Sequence, residues 1–80
     1  MADPSSPQSF VVKLEPIRRC HIRIPDHDRP VPAVEYRGEY YSFFRFEADW
    51  MTTEKIARRL SERYLITPSA RGWAIWTYEY

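Results

Sequence analysis

Apolar and polar residues alternate with a period of two through most of this chain, and the period lengthens to about 3.6 only once. The most aromatic part is 34–47, VEYRGEYYSFFRFE. Arg37-Gly38 divides it into two arms, and glycine takes positive φ without a Cβ clash, so the stretch predicts a β-hairpin closed by a tight turn. In the second arm strict alternation puts Tyr40, Ser42, Phe44 and Phe46 on one face and Tyr41, Phe43, Arg45 and Glu47 on the other. Both faces carry rings. That pattern fits a central strand, or one that has a face on the core and a face offered to a partner.

The remaining elements follow from the same reasoning. Phe10, Val12 and Leu14 alternate in a short strand that Pro16 ends or bulges, because proline brings no ladder donor. In 17–24, Cys20, Ile22 and Ile24 share one strand face while Arg19, His21 and Arg23 share the other. Residues 10–24 thus form either one long strand bent at Pro16 or a hairpin. The PDHDRPVP stretch at 25–32 holds three prolines and two aspartates and predicts an extended polar loop. Ile56, Ala57, Leu60 and Tyr64 recur at helical spacing and predict one helix over about 50–64, capped by Asp49 or Thr52, with Glu54 near its start and Arg63 near its end. Strands at 65–67 and 73–80, joined through 68–72, close the chain.

The predicted fold class is α+β: a small antiparallel sheet of about four to five strands with one helix packed on one face. Residues 10–80 form a single domain. Residues 1–9, with Pro4, Pro7, three serines, Asp3 and Gln8, predict a disordered tail. A single short helix covers one sheet face only, so part of the set of three Trp, six Tyr and four Phe should remain partly exposed. Tyr41, Phe43 and Trp73 are candidates for that role.

Composition narrows the function classes. A chain of 80 residues buries only ~60% of the surface its unfolded form exposes, which leaves no room for a second domain or a large cleft. Cys20 stands alone, which rules out an internal disulfide. No zinc-type Cys/His spacing and no secretory leader pattern occur, which suggests a reducing, cytoplasmic setting. No apolar run approaches the ~20 residues of a membrane span. Twelve Lys and Arg against eleven Asp and Glu give a net charge of +1, without the basic excess typical of nucleic-acid binders.

Candidate chemistry is sparse. Cys20 and His21 are neighbours on a strand and point to opposite faces, so they do not form a nucleophile and base pair. There is no serine nucleophile motif and no glycine-rich phosphate loop. An enzyme is therefore not expected, nor a cofactor. Asp26, His27 and Asp28, with His21 upstream, carry metal-ligand atoms but no specific ligand register, so no metal is expected. Lys55, Arg59 and Arg63 stand at i, i+4 and i+8 and form a basic ridge on the predicted helix, whereas Arg58 lies between Glu54 and Glu62. Arg19 and Arg23, beside Arg18, form a second basic cluster.

The passage EKIARRL followed by YLITP resembles the helix-to-strand passage of small phycobilisome linker domains, with Ser61-Glu62-Arg63 where those carry a double glycine. In general style RRCHIRIPD, VPAVEYRGEYYSFFRF and WAIWTYEY resemble small soluble cyanobacterial proteins that lack catalytic motifs. The resemblance implies a small basic-faced protein that docks on a larger acidic assembly.

From the residues, the expected function is a non-enzymatic interaction module or regulator that docks on a larger protein or complex with an acidic surface. Arg19, Arg23, Lys55, Arg59 and Arg63 would steer the partner, and Tyr41, Phe43 and Trp73 would anchor it. The alternative is a single-stranded nucleic-acid-binding domain, since rings beside arginines also stack on bases. Pairing of an uncovered sheet face or edge with a second copy remains open.

Overall fold

The computed structural model describes residues 9–11 and 17–80. Its elements are β1 (Ser9–Val11), β2 (Arg18–Ile22), β3 (Val31–Tyr36), β4 (Glu39–Glu47), α1 (Trp50–Arg58), β5 (Tyr64–Ser69) and β6 (Gly72–Tyr78). Strands β2 to β6 pair with one another antiparallel, and one short helix accompanies them, giving the expected α+β architecture. A sixth strand, β1, joins β5 in parallel, so the sheet order is β1-β5-β6-β4-β3-β2. The expectation of a disordered tail at 1–9 falls outside the described residues except for Ser9. Val12, Leu14 and Pro16 also lie outside them.

The central hairpin forms where the glycine signal placed it. Arg37 and Gly38 both have positive φ, 53° and 81°, which is the two-residue turn whose twist matches that of antiparallel strands. Residues 10–24 are not a hairpin, because β1 and β2 occupy opposite edges of the sheet. The face without a helix carries the larger buried set, Val34, Tyr36, Tyr41, Leu65 and Trp76, with Ile17, Ala74 and Tyr78 packed around them. On the opposite face α1 lays Ala57, Ile56 and Leu60 against Ile66, Ile75, Tyr64 and Trp73.

Asp49 caps the helix, its Oδ2 accepting from the Thr52 N–H at 2.8 Å, while buried Thr53 donates its hydroxyl to the Asp49 carbonyl. The helix is shorter than the expected 50–64. It ends at Arg58, with Arg59 as C-cap and with Arg59 and Leu60 donating to the Ile56 and Ala57 carbonyls in the tight i→i+3 manner of a closing turn. A tertiary contact explains the early stop: Arg63 is drawn to Glu39, and Tyr64 enters β5.

Alternation along β4 also departs from the expected pattern. A bulge between Phe43 and Arg45 takes up Phe44 as an extra residue. The cross-strand register then groups Tyr41, Phe43 and Phe46 on the face opposite the helix, and Tyr40, Ser42, Arg45 and Glu47 on the helix face. Strict alternation had assigned Phe46 to the other set.

Candidate functional site

The site is built by β4 and the segment that follows it. In its first half β4 is flanked by β3 and β6, but the β3 ladder runs only from Ala33↔Ser42 to Tyr36↔Glu39. Pro32, the residue before that ladder, has no N–H to extend it. From Phe43 onward β4 pairs, among the described residues, with β6 alone, so within them this half of the strand is an open edge. Phe43, Phe44 and Phe46 are 44%, 46% and 43% exposed, and the chain then turns into Trp50 (38%) and Met51 (66%) at the start of α1. Trp50 rests on half-buried Trp73 with ring centroids 4.7 Å apart, and Phe43 meets buried Trp76 edge-on at 5.5 Å. Five large apolar side chains within nine consecutive residues thus border this end of β4, with Phe43 backed by Trp76 on the face opposite the helix and Trp50 backed by Trp73 on the helix face. Arg45, between the phenylalanines, pairs with Glu47 at 3.5 Å.

The candidate residues divide into separate groups. Phe43 and Trp73 both border this end of β4, Phe43 on the face opposite the helix and Trp73 on the helix face. Arg19 and His21 share the sheet face of Phe43 and are exposed, two strands away at roughly 10 Å. Arg23 is exposed just beyond β2. Lys55 on the helix and Arg59 at its C-cap lie on the opposite side of the sheet, where with Thr52 and Ile56 they line a hollow of about 120 Å³. Small-molecule pockets typically begin near ~300 Å³.

Two candidates are not surface groups. Tyr41 is fully buried. Its hydroxyl donates to Glu39 and accepts from Arg63, and its ring packs edge-on against Tyr78 at 5.6 Å. Burial on the face opposite the helix takes it out of the docking set, and the same burial raises its phenol pKa. Arg63 is also corrected. It lies beyond the helix end, so no ridge with Lys55 and Arg59 exists, and both its terminal nitrogens hold Glu39 while its guanidinium lies 4.6 Å over the Tyr78 ring. A side chain held in this way latches β4 to the loop before β5 and is not free to steer a partner.

Phe44, Phe46, Trp50 and Met51 were missing from the sequence-derived docking set. The dense aromatic run was visible, but only the bulge and the missing β3 partner determine which of its rings face solvent. Cys20 and His21 do point to opposite faces, with Cys20 half-buried and His21 exposed. Asp26, His27 and Asp28 are exposed in the loop, and no group of three or more His, Cys, Asp or Glu gathers as a metal site among the described residues. No helix among them is long and apolar enough to cross a membrane.

Two carboxylates give the fold a definite pH response. Arg63 holds Glu39 below its ordinary pKa through a hydrogen bond, and hydrogen bonds from Thr52 do the same for Asp49. Both groups bind protons more readily in the unfolded chain, so their stabilisation is complete above the ordinary carboxylate range of ~4 and is lost as pH falls through the depressed folded values. Urea midpoints measured from neutral pH into acid should decline below that range. The Glu39→Gln, Asp49→Asn double variant should flatten the decline, and an unchanged slope would contradict the assignment.

No family model matches the chain, and no similar curated protein or solved structure was found for it.

Proposed function

We propose that this chain is a non-enzymatic interaction module, a small regulator that docks on a larger protein or complex. The observation that carries the reading is the exposed run Phe43, Phe44, Phe46, Trp50 and Met51. Large apolar side chains exposed this close together in the chain favour a partner, and aromatic residues with methionine are the types enriched where protein interfaces are desolvated. Trp76 backs Phe43 on one sheet face and Trp73 backs Trp50 on the other, and holding these rings in place lowers the ordering cost of binding. Arg19 and Arg23 on the flank favour an acidic partner surface and act mainly on association rate, and Lys55 and Arg59 offer a second, separate basic face. The helix-to-strand resemblance to linker domains agrees with docking on a larger assembly, and a lone thiol at Cys20 with a reducing, cytoplasmic setting.

The Phe43→Ser, Phe46→Ser double variant tests the reading. Each side chain is a little over two-fifths exposed, so circular dichroism should keep the parent's spectrum and the melt should shift only part of the way a core truncation would, while partner capture from native extract is lost. Capture unchanged by the double variant would refute the patch. A steep salt dependence in a mobility shift with short single-stranded oligonucleotides would instead favour nucleic acid, since phosphate contacts release counterions.

A further inference from the structure

We infer that the outer edge of β2 receives an extended, acidic segment of a partner as an added strand. β2 ends the sheet order, so along Arg18–Ile22 one row of backbone N–H and C=O groups has no strand beside it among the described residues. Its side chains sort by face. Arg19 and His21 are exposed on the face away from the helix, with exposed Arg23 next in the series, while Cys20 is half-buried and Ile22 is 6% exposed on the helix face. Arg18 shares that second face and is already paired with Glu35.

An incoming strand repeats this spacing. Carboxylates at alternate positions, about 7 Å apart, meet Arg19, His21 and Arg23, and the intervening small apolar side chains lie beside Cys20 and Ile22. Main-chain hydrogen bonds supply affinity in such additions, and the alternate side chains supply selectivity. A second copy is excluded by charge, because two antiparallel β2 strands would set arginine and histidine against one another, the arrangement by which proteins keep their edges from self-pairing. The edge is thus closed to itself and complementary to acidic strands. The inference rests on the interaction-module reading but uses the sheet edge rather than the exposed rings, so the two can fail separately.

The test uses a short, end-capped, fluorescein-labelled peptide alternating glutamate and valine, titrated into the full chain at low salt and followed by anisotropy and by amide chemical shifts. Saturable binding with shifts concentrated in Arg18–Ile22 is expected. N-methylation of the peptide nitrogens that face β2 keeps the charge and should weaken binding by about tenfold or more, as should Arg19→Glu with Arg23→Glu. The Phe43→Ser, Phe46→Ser variant should bind the peptide like the parent. Equal binding of the N-methylated peptide would reduce the contact to charge attraction and overturn strand addition. Absence of parent-peptide binding, or shifts centred elsewhere, would overturn it too.

Discussion

Gly72→Ala should unfold this domain, or leave it with only a fraction of its stability. Gly72 opens β6 at φ +155°, and a Cβ added there would lie 2.7 Å from the Ala48 Cα and still closer to the Glu47 carbonyl oxygen. Both obstacles are backbone, at the point where β4 leaves the sheet for α1, so neither can swing aside as a side-chain tip would. Backbone strain and overpacking each cost about 1–3 kcal/mol, and here they act together, for a total on the order of 4 kcal/mol. A chain of this length has roughly 4–12 kcal/mol to lose. Gly38→Ala is the control. It is strained by φ +81°, but a Cβ there meets nothing within 4 Å, so its cost should be nearer ~1 kcal/mol. If urea melts of Gly72→Ala and parent coincide, the close packing of β6 against the β4–α1 junction is wrong.

Tyr41→Ala should be almost as damaging, by about 3–5 kcal/mol, whereas Tyr41→Phe should cost only ~1 kcal/mol. The alanine leaves a ring-sized void among Val34, Tyr36, Leu65 and Trp76, all buried. The phenylalanine keeps the packing against Tyr78 and loses only the hydroxyl contacts with Glu39 and Arg63. The pair of variants also separates a core role from a docking role: a docking tyrosine cut to alanine would lose capture with its melt unchanged. Alkali is expected to act on the same group. Because burial raises the Tyr41 pKa, the unfolded chain ionises first and stability should fall as pH rises above ~10.

What could be read from the sequence, and what could not, divides by the range of the interactions involved. The Arg37-Gly38 turn, the Asp49 cap and the order of strands after it are local, set by glycine φ preference, side-chain to backbone bonding and period-two patterning. The helix end was not legible, because apolar spacing continues to Tyr64 while a carboxylate 24 positions upstream, Glu39, pulls Arg63 out of the helix. The Phe44 bulge has no marker in side-chain type, yet it moves Phe46 to the face of Phe43. Parallel pairing of β1 with β5 joins residues more than fifty positions apart and leaves no periodic trace.

For the site the same limit explains why Tyr41 and Phe46 were confused. Both are aromatic residues on one strand, and their different fates follow from the strand's neighbours: Tyr41 sits between β3 and β6, whereas Phe46 has, among the described residues, β6 alone. Ring content showed that some aromatics would remain outside, and the end of the β3 ladder decides which ones.

The most direct test places a photo-reactive benzoylphenylalanine at Phe46 and, in a second protein, at Tyr80. Tyr80 is also exposed but lies at the far end of β4, against Tyr40. Illumination in native extract should give a discrete protein adduct from position 46 that is competed by excess parent chain, and none from position 80. An adduct from position 80 with none from position 46 would contradict the assignment of the Phe43 to Met51 patch as the docking surface.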